Sequence, residues 1–176
     1  MDKIIYYIFP IIFMLHEFEE IIFLKIWLHR NKECLHRKFP KAGAKIYSQY
    51  GNFTTSGFTL AIAEEFILAS IITYTAIIIQ YPYLWFTVFI GFSVHIVVHI
   101  FQWILYRKYI PVIITSILVL PYCVYGFMEF IHSENVKIFW LTVSSIIGIT
   151  AMFLNLILIH YFGNKFSNFE NKILNK

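Results

Sequence analysis

Charge is the scarcest commodity in this 176-residue chain: only 14% of positions are Asp, Glu, Lys or Arg, against 59% hydrophobic. Soluble domains carry about 25% charged and about 45–50% apolar residues. A domain this small must clothe most of its surface in polar groups, and a mean hydropathy of +0.69 leaves too few to do so. Two cysteines, Cys34 and Cys123, exclude a disulfide framework. One falls in a basic stretch and the other inside an apolar run, on what reads as opposite faces of a bilayer. Repeats and low-complexity tracts are missing too, as is any separate polar segment long enough for a second, soluble domain. The net charge of +4 is no nucleic-acid signature, because the cations sit beside apolar runs where they encode topology.

What is present is apolar length. Five stretches reach the ~20 residues that cross a hydrocarbon core: 3–28, 57–80, 83–105, 110–131 and 136–162. The expected fold is therefore an all-α, polytopic transmembrane bundle of about five spans, forming one domain over 1–176. Tyr81, Tyr83, Trp85, Trp103, Tyr106 and Tyr161 mark the ends of these runs, at the headgroup level that amphipathic rings favour. The N-terminus has the charge and apolarity of a signal peptide, but no small-residue cleavage site follows and acidic residues interrupt the run, so it reads as retained. Twelve of the fourteen lysines and arginines fall on one side: seven between Lys25 and Lys45, then Arg107, Lys108, Lys165, Lys172 and Lys176. Lys3 and Lys137 fall on the other. The positive-inside rule then places the N-terminus outside and the C-terminus in the cytoplasm of a multi-pass cell-membrane protein. Pro40, Pro82 and Pro111 punctuate the connections, and 40–56 reads as an interfacial segment.

Against this background the polar residues inside the runs stand out. A charged side chain at a span centre costs about 2.5–3.5 kcal/mol on insertion scales. The first run nevertheless holds His16, Glu17, Glu19 and Glu20; the second holds Glu64 and Glu65; the third holds His95, His99 and Gln102; the fifth holds Asn155. His16 shares a helix face with Glu19 and Glu20, and His95 with His99, through i, i+3 and i, i+4 spacing. Two histidines one turn apart can both reach one metal ion. Small residues at Gly57, Ala61 and Ala69 continue a four-residue stripe through Glu65, which favours Glu65 over Glu64 as the inward carboxylate. Counted from the cytoplasmic ends at ~1.5 Å per residue, Glu20 and Glu65 lie ~12 Å deep, Asn155 ~10 Å, His99 ~9 Å, His95 ~15 Å and His16 ~18 Å. Four helices thus bring polar groups to one layer. His132 and Glu129 read as solvated groups near the outer interface, and His160 as a hydrogen-bonded packing residue.

The run His16-Glu17-Phe18-Glu19-Glu20 resembles the signature of the HXXEE family of small membrane proteins. His95-x-x-x-His99-x-x-Gln102 and Tyr109-x-Pro111 are similar to that family's other blocks, over residues ~10–115. The resemblance implies that His16, Glu19 and Glu20 are the named motif positions, and implies no activity.

The expected function is a membrane-embedded metalloenzyme with hydrolase or acyl-transfer chemistry on a lipid or lipidated substrate. His16, Glu20, Glu65, His95 and His99 are the expected ligands of one or two divalent ions, zinc first, with iron or manganese as alternatives. Glu19 is the expected general base, and Glu17, Glu64, Gln102 and Asn155 support the site. The expected partners are membrane lipids and a hydrophobic, lipid-like substrate, with oligomerisation open and no nucleic acid. Four further readings share the same residues: a metal-free, proton-shuttling isomerase, a di-iron-type oxidase, a small ion transporter, and an accessory membrane protein.

Overall fold

A computed structural model of the protein describes residues 4–51, 53–132 and 136–174, and all regular structure among them is helical. The order is α1 (Ile4–Lys38), α2 (Pro40–Tyr50), α3 (Thr55–Ile78), α4 (Pro82–Tyr106), α5 (Ile113–His132) and α6 (Ile138–Leu174). Four of these, α3 to α6, are long and apolar enough to cross a membrane. The first helix is the difference from the expected five. It runs for 35 residues, but Glu17, Glu19 and Glu20 interrupt its apolar stretch. Lys3 and Lys176, used above for orientation, lie outside the described residues.

Two boundaries moved outward for local reasons. The basic stretch after the first apolar run is no loop: α1 continues through it to Lys38, because it is rich in good helix formers and has no glycine or proline before Pro40. Phe39 then leaves the helical region, with φ −135° and ψ 74°, since a following proline disfavours helical backbone, and Pro40 opens α2. α6 similarly runs twelve residues past the expected end at 162.

α4 is the central helix, packed on α6, α5, α3 and, more sparingly, α1. Its crossing with α6 needs glycine on both sides. A methyl on Gly91 would come within 3.0 Å of the Gly148 carbonyl oxygen, so backbone meets backbone there. At the end of the bundle away from the basic residues, α1, α4 and α5 share an aromatic core. Trp85 stacks on Phe89 with centroids 4.5 Å apart, and Phe86 on Phe130 at 4.2 Å. Cys123 is buried in this core, Cys34 is partly exposed, and both thiols are free. Outward faces are apolar instead: Ile67, Ile71, Leu118, Leu154 and Ile157 are all exposed, a surface suited to lipid contact.

At the other end a polar clamp joins α3 to α6. Thr54 caps α3, accepting from Gly57 N–H at 3.0 Å, and its own hydroxyl donates to Glu170 Oε2 at 2.6 Å. Ser56 donates to the same oxygen, and Thr54 N–H donates to Ser167 Oγ at 3.0 Å. Glu170→Ala removes the acceptor for two hydroxyls. It is expected to speed amide hydrogen exchange several-fold over residues 163–174 and the first turn of α3, with no change around His16.

Candidate metal centre between two cavities

α1 presents its ionisable residues to the bundle: His16 is 0% exposed, Glu17 2% and Glu19 6%. From α4 come His95 and His99, rings perpendicular and Nε2 atoms 2.8 Å apart. His16, His95 and His99 each offer one ring nitrogen within 4.8 Å of the others, a spacing that could hold one metal ion. Among the described residues this trio is the group with that geometry. Glu20 and Glu65, expected as ligands, stand beside it rather than in it. The nearest carboxylate is Glu17, whose Oε1 lies 3.8 Å from His95 Nε2.

Hydrogen bonds behind the rings fix which nitrogens are bare. Thr115, in the first turn of α5, gives its hydroxyl proton to Glu19 Oε2 at 2.7 Å. Its oxygen is then left to accept from His16 Nδ1–H at 3.2 Å. His16 Nε2 is therefore the unprotonated nitrogen. It is fully buried and has no hydrogen-bond partner. His99 follows the same pattern, with Nδ1–H donating to Gln102 Oε1 at 3.0 Å, so its Nε2 accepts from His95 Nε2–H. Partners of this kind, on the nitrogen that faces away from a metal, orient histidine ligands generally.

Glu19 has a different position from that of a free general base. Its Oε2 accepts both the Thr115 hydroxyl and the Thr115 N–H at 2.8 Å, and its Oε1 accepts from Tyr109 OH at 2.9 Å. It caps the N-terminus of α5 from another helix, where the dipole favours an anion. Burial, and then the neighbouring Glu19 carboxylate, push the Tyr109 phenol up to about 12, so it stays a donor. Val112 immediately precedes α5 with φ 80°. A buried β-branched residue in that region stores about 1–3 kcal/mol of strain, and the backbone turn it makes aims Thr115 at Glu19 and His16.

The remaining carboxylates lie on either side of the histidines. Glu17, Glu20 and Glu65 are close enough to interact electrostatically. Glu65, with Glu17, His95 and Asn155, borders a cavity of about 330 Å³ between α1, α3, α4 and α6. Glu20, with His99 and Gln102, borders another of about 250 Å³ beneath α2 and the α4–α5 connection. Glu64 is exposed and accepts from Asn155 Nδ2 at 3.2 Å. His160 is hydrogen-bonded to Tyr50 OH at 3.0 Å, in keeping with a packing role.

A family model described as a protein of unknown function with HXXEE motif matches residues 7–126. The chain belongs to the HXXEE family. No curated protein and no solved structure matches it. The HXXEE match spans all three histidines, Thr115 and Tyr109, and leaves α6 outside. Within the motif as it stands here, His16 supplies a bare buried nitrogen, Glu19 caps α5, and Glu20 faces the smaller cavity. Glu17 occupies an unnamed motif position, yet it is the carboxylate nearest the histidine trio. Sequence reasoning assigned no role to Thr115 or Tyr109; Thr115 gives no signal of its own, whereas Tyr109 lies in the third HXXEE-like block.

Proposed function

We propose that this HXXEE protein is a metal-dependent enzyme of the cell membrane that hydrolyses, or transfers the acyl group of, a lipid-like ester or amide. The observation that carries the reading is the bare, buried, unpartnered Nε2 of His16 on a ring that offers a nitrogen within 4.8 Å of one from each of His95 and His99. An isolated buried polar atom is destabilising, and a divalent ion would satisfy it. In this reading α1 is the fifth span, with the N-terminus outside and the C-terminus cytoplasmic, because its carboxylates are turned to the bundle rather than to lipid.

Three neutral imidazoles would suit zinc, with iron or manganese as alternatives, once the His95 proton moves from Nε2 to Nδ1 and the His95–His99 hydrogen bond gives way to the ion; the other groups it would meet are water and a carbonyl oxygen. An ion held there would polarise both groups. Glu17 takes the proton from the attacking water. The new bond forms between that water's oxygen and the acyl carbon. The bond from the acyl carbon to the leaving oxygen or nitrogen breaks, and Glu17 returns the proton to the leaving atom. In acyl transfer an alcohol takes the place of water. The smaller cavity, bordered by Glu20, supplies a route for water or the leaving group from the α2 side.

Elemental analysis of detergent-purified protein tests this. Wild type is expected to hold one zinc, or an equivalent divalent ion, per chain, and His99→Ala to retain less than about a tenth of it. Metal-free wild type with an ordered fold would overturn the metal reading. It would favour the isomerase, in which the His95–His99 hydrogen bond is a proton relay.

A further inference from the structure

The larger cavity has a direction. Each of its four helices contributes a stripe with polar groups at one end only: Glu17 on α1, Glu65 on α3, His95 on α4 and Asn155 on α6. Away from that end the stripes reach Phe9, Ile72, Leu84 and Ile147, and the lining is apolar apart from Thr87, whose hydroxyl already donates to the Tyr83 carbonyl. At 1.5 Å per residue these stripes extend ~10–16 Å along the helix axes. The volume of about 330 Å³ lies within the range of small-molecule sites. The rim opens sideways: Leu68 is 42% exposed and Ile147 53%, with Ala151 exposed between them. These rim residues belong to the apolar outer surface, so the mouth faces the hydrocarbon layer.

We propose that this chamber binds a single acyl chain of the substrate, entering between α3 and α6, with its carbonyl at Glu17 and His95 and its methyl end towards Leu84 and Ile72. The proposal rests on the acyl chemistry above for the carbonyl's place, while chain binding itself needs no metal. An apolar chamber with hydrogen-bonding groups only at its inner, histidine end matches a molecule that is apolar except at one end. Chain length is then selected by the side chains along α3. Ala69 lies one turn from Glu65, and Ile72 closes the far end.

Photo-crosslinking with non-hydrolysable acyl amides separates these assignments. A decanoyl amide, the long probe, carrying a diazirine at its methyl end is expected to label Ile72, Leu84 and Ile147. A probe with the diazirine beside the carbonyl is expected to label the turn around Asn155. Both patterns should persist in His99→Ala, so loss of metal and loss of chain binding are read separately. Ile72→Trp should lower labelling by the long probe at least tenfold and leave a hexanoyl probe unaffected; Ala69→Leu should shift the cut-off to shorter chains still. Size-exclusion profiles matching wild type identify variants that fold. Labelling spread evenly over the outward residues Ile71, Leu154 and Ile157 would mean ordinary annular lipid and overturn the proposal, as would an unchanged chain-length profile in folded Ile72→Trp.

Discussion

Glu17→Gln is expected to lower turnover of a decanoyl ester by roughly 10²–10⁴-fold, the range for loss of a positioned general base, while metal content stays at the wild-type level. The residue is 2% exposed and its Oε1 lies 3.8 Å from His95 Nε2. Glutamine keeps the volume and loses only the ability to take a proton. The substitution also removes one member of a crowded carboxylate group, since Glu17 interacts with Glu20 and Glu65, so the fold is not expected to weaken. Glu19→Gln makes the contrast. Its oxygens are already occupied by Thr115 and Tyr109, and amide exchange at the start of α5 should rise. Turnover measured on metal-loaded variants distinguishes the two. Were Glu19→Gln to abolish turnover with α5 intact, and Glu17→Gln to leave it unchanged, the base would be Glu19.

The second large effect is expected at Thr115, which touches no ligand-facing atom. Thr115→Val preserves shape but deprives Glu19 of one donor and His16 Nδ1–H of its acceptor. Loss of such an outer partner typically weakens metal binding by about 10–100-fold. Leaving buried polar atoms unpartnered destabilises by about 1–3 kcal/mol. Zinc affinity measured by competition with a chelator should fall accordingly, and Thr115→Ser, which restores the hydroxyl, should recover most of it. Equal losses in Val and Ser variants would instead point to methyl packing. A hydroxyl that served α5 alone would change stability and leave affinity untouched.

Particular residues show how far each level of description reached. The i, i+4 spacing of His95 and His99 put both imidazoles on one face of α4, because helix geometry is local and fixed. The apolar runs located α3, α4, α5 and the start of α6 within a few residues, since a helix in hydrocarbon must satisfy its own backbone. The composition of 14–20 made it plain that α1 needed a polar neighbour inside the bundle. None of this could say which carboxylate met which histidine. Neighbouring positions on a helix differ by about 100° in direction, so Glu17, Glu19 and Glu20 were assigned from a face without knowledge of what lay opposite.

Tertiary contacts settled that. Glu19 was expected as the base and was found capping α5, because the strained turn at Val112 carries Thr115 to it. The small-residue stripe through Ala61 and Ala69 did turn Glu65 to the larger cavity, while Glu64 reached Asn155 at the outer surface. By itself the sequence determined the class of fold, the main apolar helices and the residues with chemistry to offer, all consequences of composition and short-range spacing. Their partners were decided only by helix rotation and crossing, such as the Gly91–Gly148 contact, because those depend on shape complementarity between segments far apart in the chain.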